Sequence, residues 1–243
     1  NMDGLCAGIS GIISFFLGII FLLNNQSVLS LLSFSVSGAA FGFLVYNFRP
    51  AKIFMGDSGS LFLGFLLSTL ALMGTYETKS HILLSLGIPL LIMSLPIFDT
   101  TLVTVSRKYF SRPISQGGKD HSSHRLITLG FSERKSLLVM YGIAILGGGI
   151  ALGLTYLNLS ISLLLIVLSL IVFVGFGAFL SRVKVYTVNE YESLLENNDG
   201  KRVTLIQTLL MHKRQIIEVF VDSILVMYSL YLAAWLQYNG EIP

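Results

Sequence analysis

Charge is what this chain has least of. Only 12% of its 243 residues are Asp, Glu, Lys or Arg and 53% are hydrophobic, where a soluble domain carries about 25% charge. Mean hydropathy is +0.77. So little charge excludes an ordinary soluble globular protein and points to an integral membrane protein. The net charge of +3 is too small and too dispersed for a nucleic-acid partner. Cysteine is nearly absent as well: Cys6 stands alone, which excludes an internal disulfide and a cysteine-built metal cage, and its simplest role is a small apolar helix residue. No Asp-Asp pair occurs, and no repeat or low-complexity segment stands out. The chain starts at Asn1 instead of Met, so it reads as a piece of a longer protein, and a leader cannot be judged from it.

What is present is a series of apolar runs. A helix crossing the hydrocarbon core needs about 20 mostly apolar residues, and seven stretches qualify: residues 4–23, 28–47, 59–76, 82–106, 136–156, 160–180 and 216–236. Backbone polar groups find no partner in lipid outside their own helix. The expected fold is therefore all-α, a polytopic helical bundle with about seven transmembrane helices. Successive spans alternate in direction, which puts 48–58, 107–135 and 181–215 on one side. That side holds every one of the 16 Lys and Arg residues except Lys79, and the positive-inside rule makes it cytoplasmic. Residues 181–215, with Asn197-Asn198-Asp199-Gly200 as a turn signal, read as a connector between a membrane domain, 1–180, and a last span in 216–243. The four-spaced glycine pairs Gly38/Gly42 and Gly149/Gly153 suggest close helix packing.

Polar residues gather in three places on the cytoplasmic side. One is Asn1-Met2-Asp3-Gly4-Leu5. The second, Asn47 to Ser60, reads N-F-R-P-A-K-I-F-M-G-D-S-G-S, and the third, Gly117 to Arg125, reads G-G-K-D-H-S-S-H-R. Asp57 or Ser58 has a simple use as a cap for the next helix. Yet a carboxylate accompanied by Asn47, Arg49, Lys52 and glycines also suits a magnesium-bound phosphate: hard cations take oxygen ligands, bases offset phosphate charge, and glycine admits close backbone approach. Asp3 at a helix start is favourable against the dipole, and it lies on the same face. His121 and His124 have the spacing of a zinc pair but lack a third ligand. With Asp120 and Arg125 they suit a diphosphate or lipid phosphate, and a solvated charged loop is an equal alternative. Asp99, after Pro89 and Pro96 in the fourth run, is either functional or interfacial. For Asp222 and Glu218 a structural role is favoured, and His81 and His212 read as surface residues.

The stretches N-F-R-P-A-K-I-F-M-G-D-S-G-S-L-F-L-G, N-M-D-G-L-C-A-G and P-I-F-D-T resemble the polyprenyl-phosphate N-acetylhexosamine-1-phosphate transferases. These initiate O-antigen, teichoic-acid and related cell-envelope glycans. The resemblance covers residues 1 to about 180. It implies that N-acetylhexosamine-1-phosphate moves from a UDP-N-acetylhexosamine to polyprenyl (undecaprenyl) phosphate with release of UMP. It also implies a magnesium ion, with manganese as a substitute, a bacterial inner-membrane location, and scope for a homodimer. By motif position Asp57 is the metal ligand, and Asp57, Asp3, His121 and His124 are catalytic. Asn1, Asn47, Lys52, Asp120 and Arg125 bind substrate. Asp3 matches the second acid of the family's Asp-x-x-Asp-Gly element, and Ser123 stands where the middle histidine of its His-x-His-His loop would be.

The family also carries an adjacent aspartate pair in an earlier loop, which would precede Asn1 together with roughly half of the membrane domain. Residues 1–243 alone are thus expected to be inactive. Beyond residue 181 the likeness shifts: His212 to Gln237 resembles the first membrane helix of polysaccharide-biosynthesis epimerase/dehydratase proteins, which suggests a fused second module. A non-catalytic subunit or scaffold of a glycan-assembly complex is the alternative. A transporter fits less well, since its ionisable groups would lie near mid-membrane.

Overall fold

The computed structural model describes residues 2–74, 82–109 and 118–183, all within one compact unit, Asn1–Tyr186. The described residues form eight helices: α1 (Leu5–Leu23), α2 (Ser27–Asn47), α3 (Gly56–Met73), α4 (Ile82–Ile92), α5 (Ser94–Tyr109), α6 (Ser122–Thr128), α7 (Glu133–Leu154) and α8 (Leu159–Ser181). There is no strand among the described residues. Five of the helices, α1, α2, α3, α7 and α8, are long and apolar enough to cross a membrane. The all-helical bundle read from the apolar runs is borne out. The seventh run, the connector beyond Val183, Asn1, His81, His212, Glu218 and Asp222 lie outside the described residues.

The fourth run, 82–106, is two helices instead of one. α4 carries Pro89 in its interior and ends at Ile92, and α5 begins at Ser94. Pro89 and Pro96 lack an N–H, so two successive turns each lose a ladder bond, and the helix breaks between them. The Met93 and Ile97 N–H groups still reach Pro89 O and Met93 O at 3.0 and 3.1 Å, which keeps the two pieces in sequence across the bundle. Against the break lies Gly147 of α7. A Cβ there would fall 2.8 Å from both Leu91 O and Ser94 Oγ, so glycine is required for that contact.

α1 is the central helix. Its glycines let aromatic rings lie on its backbone: a Cβ at Gly8 would meet the Tyr141 ring at 2.2 Å, one at Gly11 would meet Phe41 at 2.8 Å, and one at Gly18 would meet Phe34 at 2.8 Å. Serines of α2 reinforce the pairing. Ser37 Oγ donates to Gly11 O at 3.0 Å and Ser30 Oγ to Gly18 O at 2.9 Å. In hydrocarbon such bonds add specificity to van der Waals packing.

The two four-spaced pairs expected to pack, Gly38/Gly42 and Gly149/Gly153, have nothing within 4 Å of where a Cβ would stand. The close approaches fall on single glycines instead. Spacing says that two glycines share a helix face, but the neighbours decide whether that face is occupied.

Two apolar clusters fill the bundle. One joins Ile13, Leu17 and Phe21 to Leu67, Leu70, Ile88, Ile92 and Leu154. The other joins Ile12 to Leu95, Leu102, Leu126, Met140, Ala144 and Leu180. The second lies towards the end where α1, α3 and α7 begin and where α2, α5 and α8 finish. The polar clusters sit at that same end.

Candidate phosphate-handling site

Each polar stretch is held by a different part of the bundle. At the start of α1 the chain turns through Gly4 at φ 78°, a left-handed conformation that suits glycine. Three side chains fix the turn. Asn47 Oδ1 accepts the Gly4 N–H at 3.0 Å, Tyr141 Oη donates to Gly4 O at 2.6 Å, and Asp3 Oδ2 accepts the Ala51 N–H at 3.2 Å. Asn47 is 7% exposed, and its Nδ2 donates to Ile53 O at 2.8 Å. Its amide thus holds the 48–55 loop against the end of α2, aided by Lys52 N–H donating to Tyr46 O at 2.8 Å. Arg49 stands between two acids: it forms an ion pair with Glu133 and lies 3.8 Å from Asp3 Oδ2.

α3 starts at Gly56, with no side chain capping it. Asp57 therefore lies inside the first turn, so of the two uses open to it the cap is not taken. The carboxylate keeps its favourable place near the positive end of the helix. It is exposed and forms no hydrogen bond or ion pair among the described residues, and Lys52, earlier on the same loop, is exposed too.

The third stretch descends into the bundle. His121 precedes α6, and its Nδ1 lies 2.7 Å from Asp99 Oδ2. The other carboxylate oxygen of Asp99 accepts the Ser122 N–H at 2.7 Å and the Ser122 Oγ–H at 2.5 Å. Ser122 Oγ is also 3.8 Å from Met140 Sδ. Asp99 sits about 15 Å along α5 from its end at Tyr109, at 1.5 Å per residue. The start of α6 is therefore sunk between α5 and α7. His124 is half-buried, and burial is the largest of the causes that lower its pKa below the usual imidazole value of 6.5.

Asp120 and Arg125 turn out to be wall residues. Asp120 is 1% exposed and pairs with Arg107 Nε at 3.0 Å; Arg125 is 2% exposed. The Arg125 guanidinium donates to Asp120 O at 2.8 Å, Ser106 Oγ at 2.7 Å and Leu180 O at 2.8 Å. It ties α5, α6 and the end of α8 together. Both side chains are committed within the protein, because a buried charge must be fully paired. Ser123 is buried too, with Ser136 Oγ donating to its carbonyl at 2.9 Å. The position where this chain departs from the family loop is thus packed against α7.

Among the described residues no three His, Cys, Asp or Glu side chains gather as a metal cage. Sequence reasoning missed Glu133, Tyr141 and Ser122. Glu133 reads locally as an ordinary helix-start acid, and the contacts of Glu133 and Tyr141 span 84 and 137 positions, beyond any local signal.

Fold and site together define a polytopic helical membrane protein with acids, bases and imidazoles collected at one end of its bundle. Residues 1–75 match the sequence profile of the family described as glycosyl transferase family 4. A probable undecaprenyl-phosphate N-acetylglucosaminyl 1-phosphate transferase of Bacillus subtilis is 46% identical over 141 residues, 58% of this chain and 39% of that protein. A phospho-N-acetylmuramoyl-pentapeptide-transferase of Prochlorococcus marinus is 43% identical over 117 residues, 46% of this chain and 32% of its own length. A decaprenyl-phosphate N-acetylglucosaminephosphotransferase of Mycolicibacterium smegmatis is 34% identical over 121 residues, 46% and 30% of the respective chains. The resemblance to polyprenyl-phosphate sugar-1-phosphate transferases read from the motifs is borne out. The chain spans less than half the length of these relatives.

Proposed function

We propose that the whole protein transfers N-acetylhexosamine-1-phosphate from a UDP-N-acetylhexosamine to polyprenyl phosphate at the cytoplasmic face of a bacterial inner membrane. A phosphate oxygen of the lipid attacks the β-phosphorus of the donor. The bond from that phosphorus to the bridging oxygen breaks, and UMP leaves with the α-phosphate. The observation that carries this reading is Asp57: an exposed carboxylate without a partner among the described residues, at the bundle end that also holds Asp3, Arg49, Lys52, His121 and His124.

Asp57 fits a magnesium ion as a single hard oxygen donor, since magnesium keeps several waters and takes the rest of its ligands from substrate phosphates. When bound, the ion offsets the diphosphate charge that grows during transfer. Lys52 supplies a fixed positive charge on the same loop, and His121 and His124 supply hydrogen-bonding edges for phosphate oxygens. Asp3, Arg49 and Asn47 shape the loop that presents Asp57. Asp120 and Arg125 act on substrate through the wall they hold. Joining two anionic substrates at the lipid headgroup level calls for this kind of pre-set field at the helix ends.

Membranes carrying the full-length protein should convert labelled UDP-N-acetylglucosamine, or a related UDP-sugar, into butanol-extractable label. Asp57→Ala should abolish it, and transfer that survives this change would remove the metal assignment.

A further inference from the structure

Asp99 is an acid on α5 that carries no part of the transfer described above. Its surroundings are nonetheless specific. Three donors converge on its two oxygens: the Ser122 N–H and Oγ–H on Oδ1, and His121 Nδ1 on Oδ2 at 2.7 Å. An ionised carboxylate can only accept, so Nδ1 must carry a proton, whether the ring is neutral or charged. The Asp99 side chain is 21% exposed and that of His121 is 37% exposed. One edge of the ring is therefore closed against α5, and the remaining ring nitrogen is Nε2. Among the described residues, His124 lies one turn on along α6 and Lys119 just before His121, and the charges of His121, Lys119 and Asp99 all act on His124.

We infer that Asp99 is a positioning residue that locks His121 in its Nδ1–H form, so that Nε2 is the atom offered to a substrate phosphate oxygen. As neutral imidazole Nε2 accepts the proton of a P–OH group; as imidazolium it donates to a P–O⁻. In both states the same atom faces the phosphate, and the ring does not rotate. Ser122 keeps the carboxylate in register by occupying its second oxygen. The part of this inference that concerns turnover rests on the transfer reaction proposed above, while the part that concerns the ring does not.

The test uses the full-length protein in lipid nanodiscs with ¹⁵N-labelled histidine, the His121 signals being identified by their loss in His121→Gln. Neutral His121 in the wild type should show the Nδ1–H tautomer; free imidazole side chains favour Nε2–H. In Asp99→Asn the carbonyl oxygen suits the two Ser122 donors, which leaves the amide N–H₂ facing Nδ1. The ring should then switch to Nε2–H, the wrong form for the proposed contact. Turnover should fall about 10- to 100-fold, as when a supporting partner of a working side chain is lost, with KM for the UDP-sugar little changed. The same substitution in a His121→Ala background should cost nothing further.

The inference is overturned by Nε2–H in the wild type, a measurement that does not depend on any variant folding, or by an unchanged tautomer in Asp99→Asn. If the wild-type protein transfers no sugar phosphate while Asp99→Asn still switches the tautomer, the proposed function is overturned and the positioning role stands. Transfer with no tautomer change would do the reverse.

Discussion

Asn47 and Gly4 are 43 positions apart in the chain and joined by one hydrogen bond, Gly4 N–H to Asn47 Oδ1 at 3.0 Å. Through Nδ2 the same amide holds Ile53 O at 2.8 Å. The start of α1 and the loop that leads to Asp57 are thus referenced to a single side chain. Asn47→Ala leaves the buried Gly4 N–H without this partner, at about 1–3 kcal/mol, and also releases Ile53 O on the exposed loop. The melting temperature of the purified protein should fall, and transfer activity should fall with it. Asn47→Asp keeps the Gly4 bond but opposes an anion to Ile53 O, so it should rescue less than an isosteric change normally does.

Asp57 should behave in the opposite way. Its carboxylate is exposed, and only its favourable place near the α3 N-terminus contributes to folding, about 0.3–1 kcal/mol. Asp57→Asn should therefore leave the melting temperature nearly unchanged while transfer is lost. A large drop in stability would show that Asp57 is a structural residue.

The Arg107–Asp120 pair is buried at both ends, with side chains 7% and 2% exposed. Removing one partner of such a pair costs about 3–5 kcal/mol. Arg107→Met should thus lower stability in a denaturant or thermal series far more than Asp57→Asn does. Arg125→Lys should also destabilise the protein, because a single ammonium cannot reach Asp120 O, Ser106 Oγ and Leu180 O together as the guanidinium fork does.

Glycine substitutions should separate by neighbour and not by spacing. Gly8→Ala would place a Cβ 2.2 Å from the Tyr141 ring, and overpacking of this kind costs about 1–3 kcal/mol. Gly149→Ala and Gly153→Ala meet nothing within 4 Å and should be neutral or slightly stabilising, since alanine is the better helix former. Thermal melts of the three variants make the comparison.

His124 sets a pH dependence whose sign follows from its lowered pKa. The folded protein binds a proton at this position less readily than the unfolded chain does. Its contribution to stability is therefore complete above the unfolded value of 6.5 and falls away as the pH drops below it. Wild-type stability should decline as the pH falls below about 6.5, and His124→Gln should flatten part of that decline.

The apolar runs determined the helices, because lipid leaves a backbone no other way to satisfy its polar groups. They also placed Asp3, Asp57 and the His121 stretch at one end of the bundle, and the motifs at Asn47 to Ser60 carried the resemblance to sugar-1-phosphate transferases. All of that is local information: run lengths, residue types and short spacings. The split of 82–106 into α4 and α5 was half visible in Pro89 and Pro96. Only the tertiary structure decided which polar residues remain free. Asp57 has no partner among the described residues, whereas Asp120 and Arg125, equally polar in sequence, are committed to α5 and α8, and Asp99 is committed to His121 and Ser122. Pairing of a charge depends on what long-range packing brings beside it. No spacing along the chain records that Tyr141 reaches Gly4 or that Glu133 reaches Arg49.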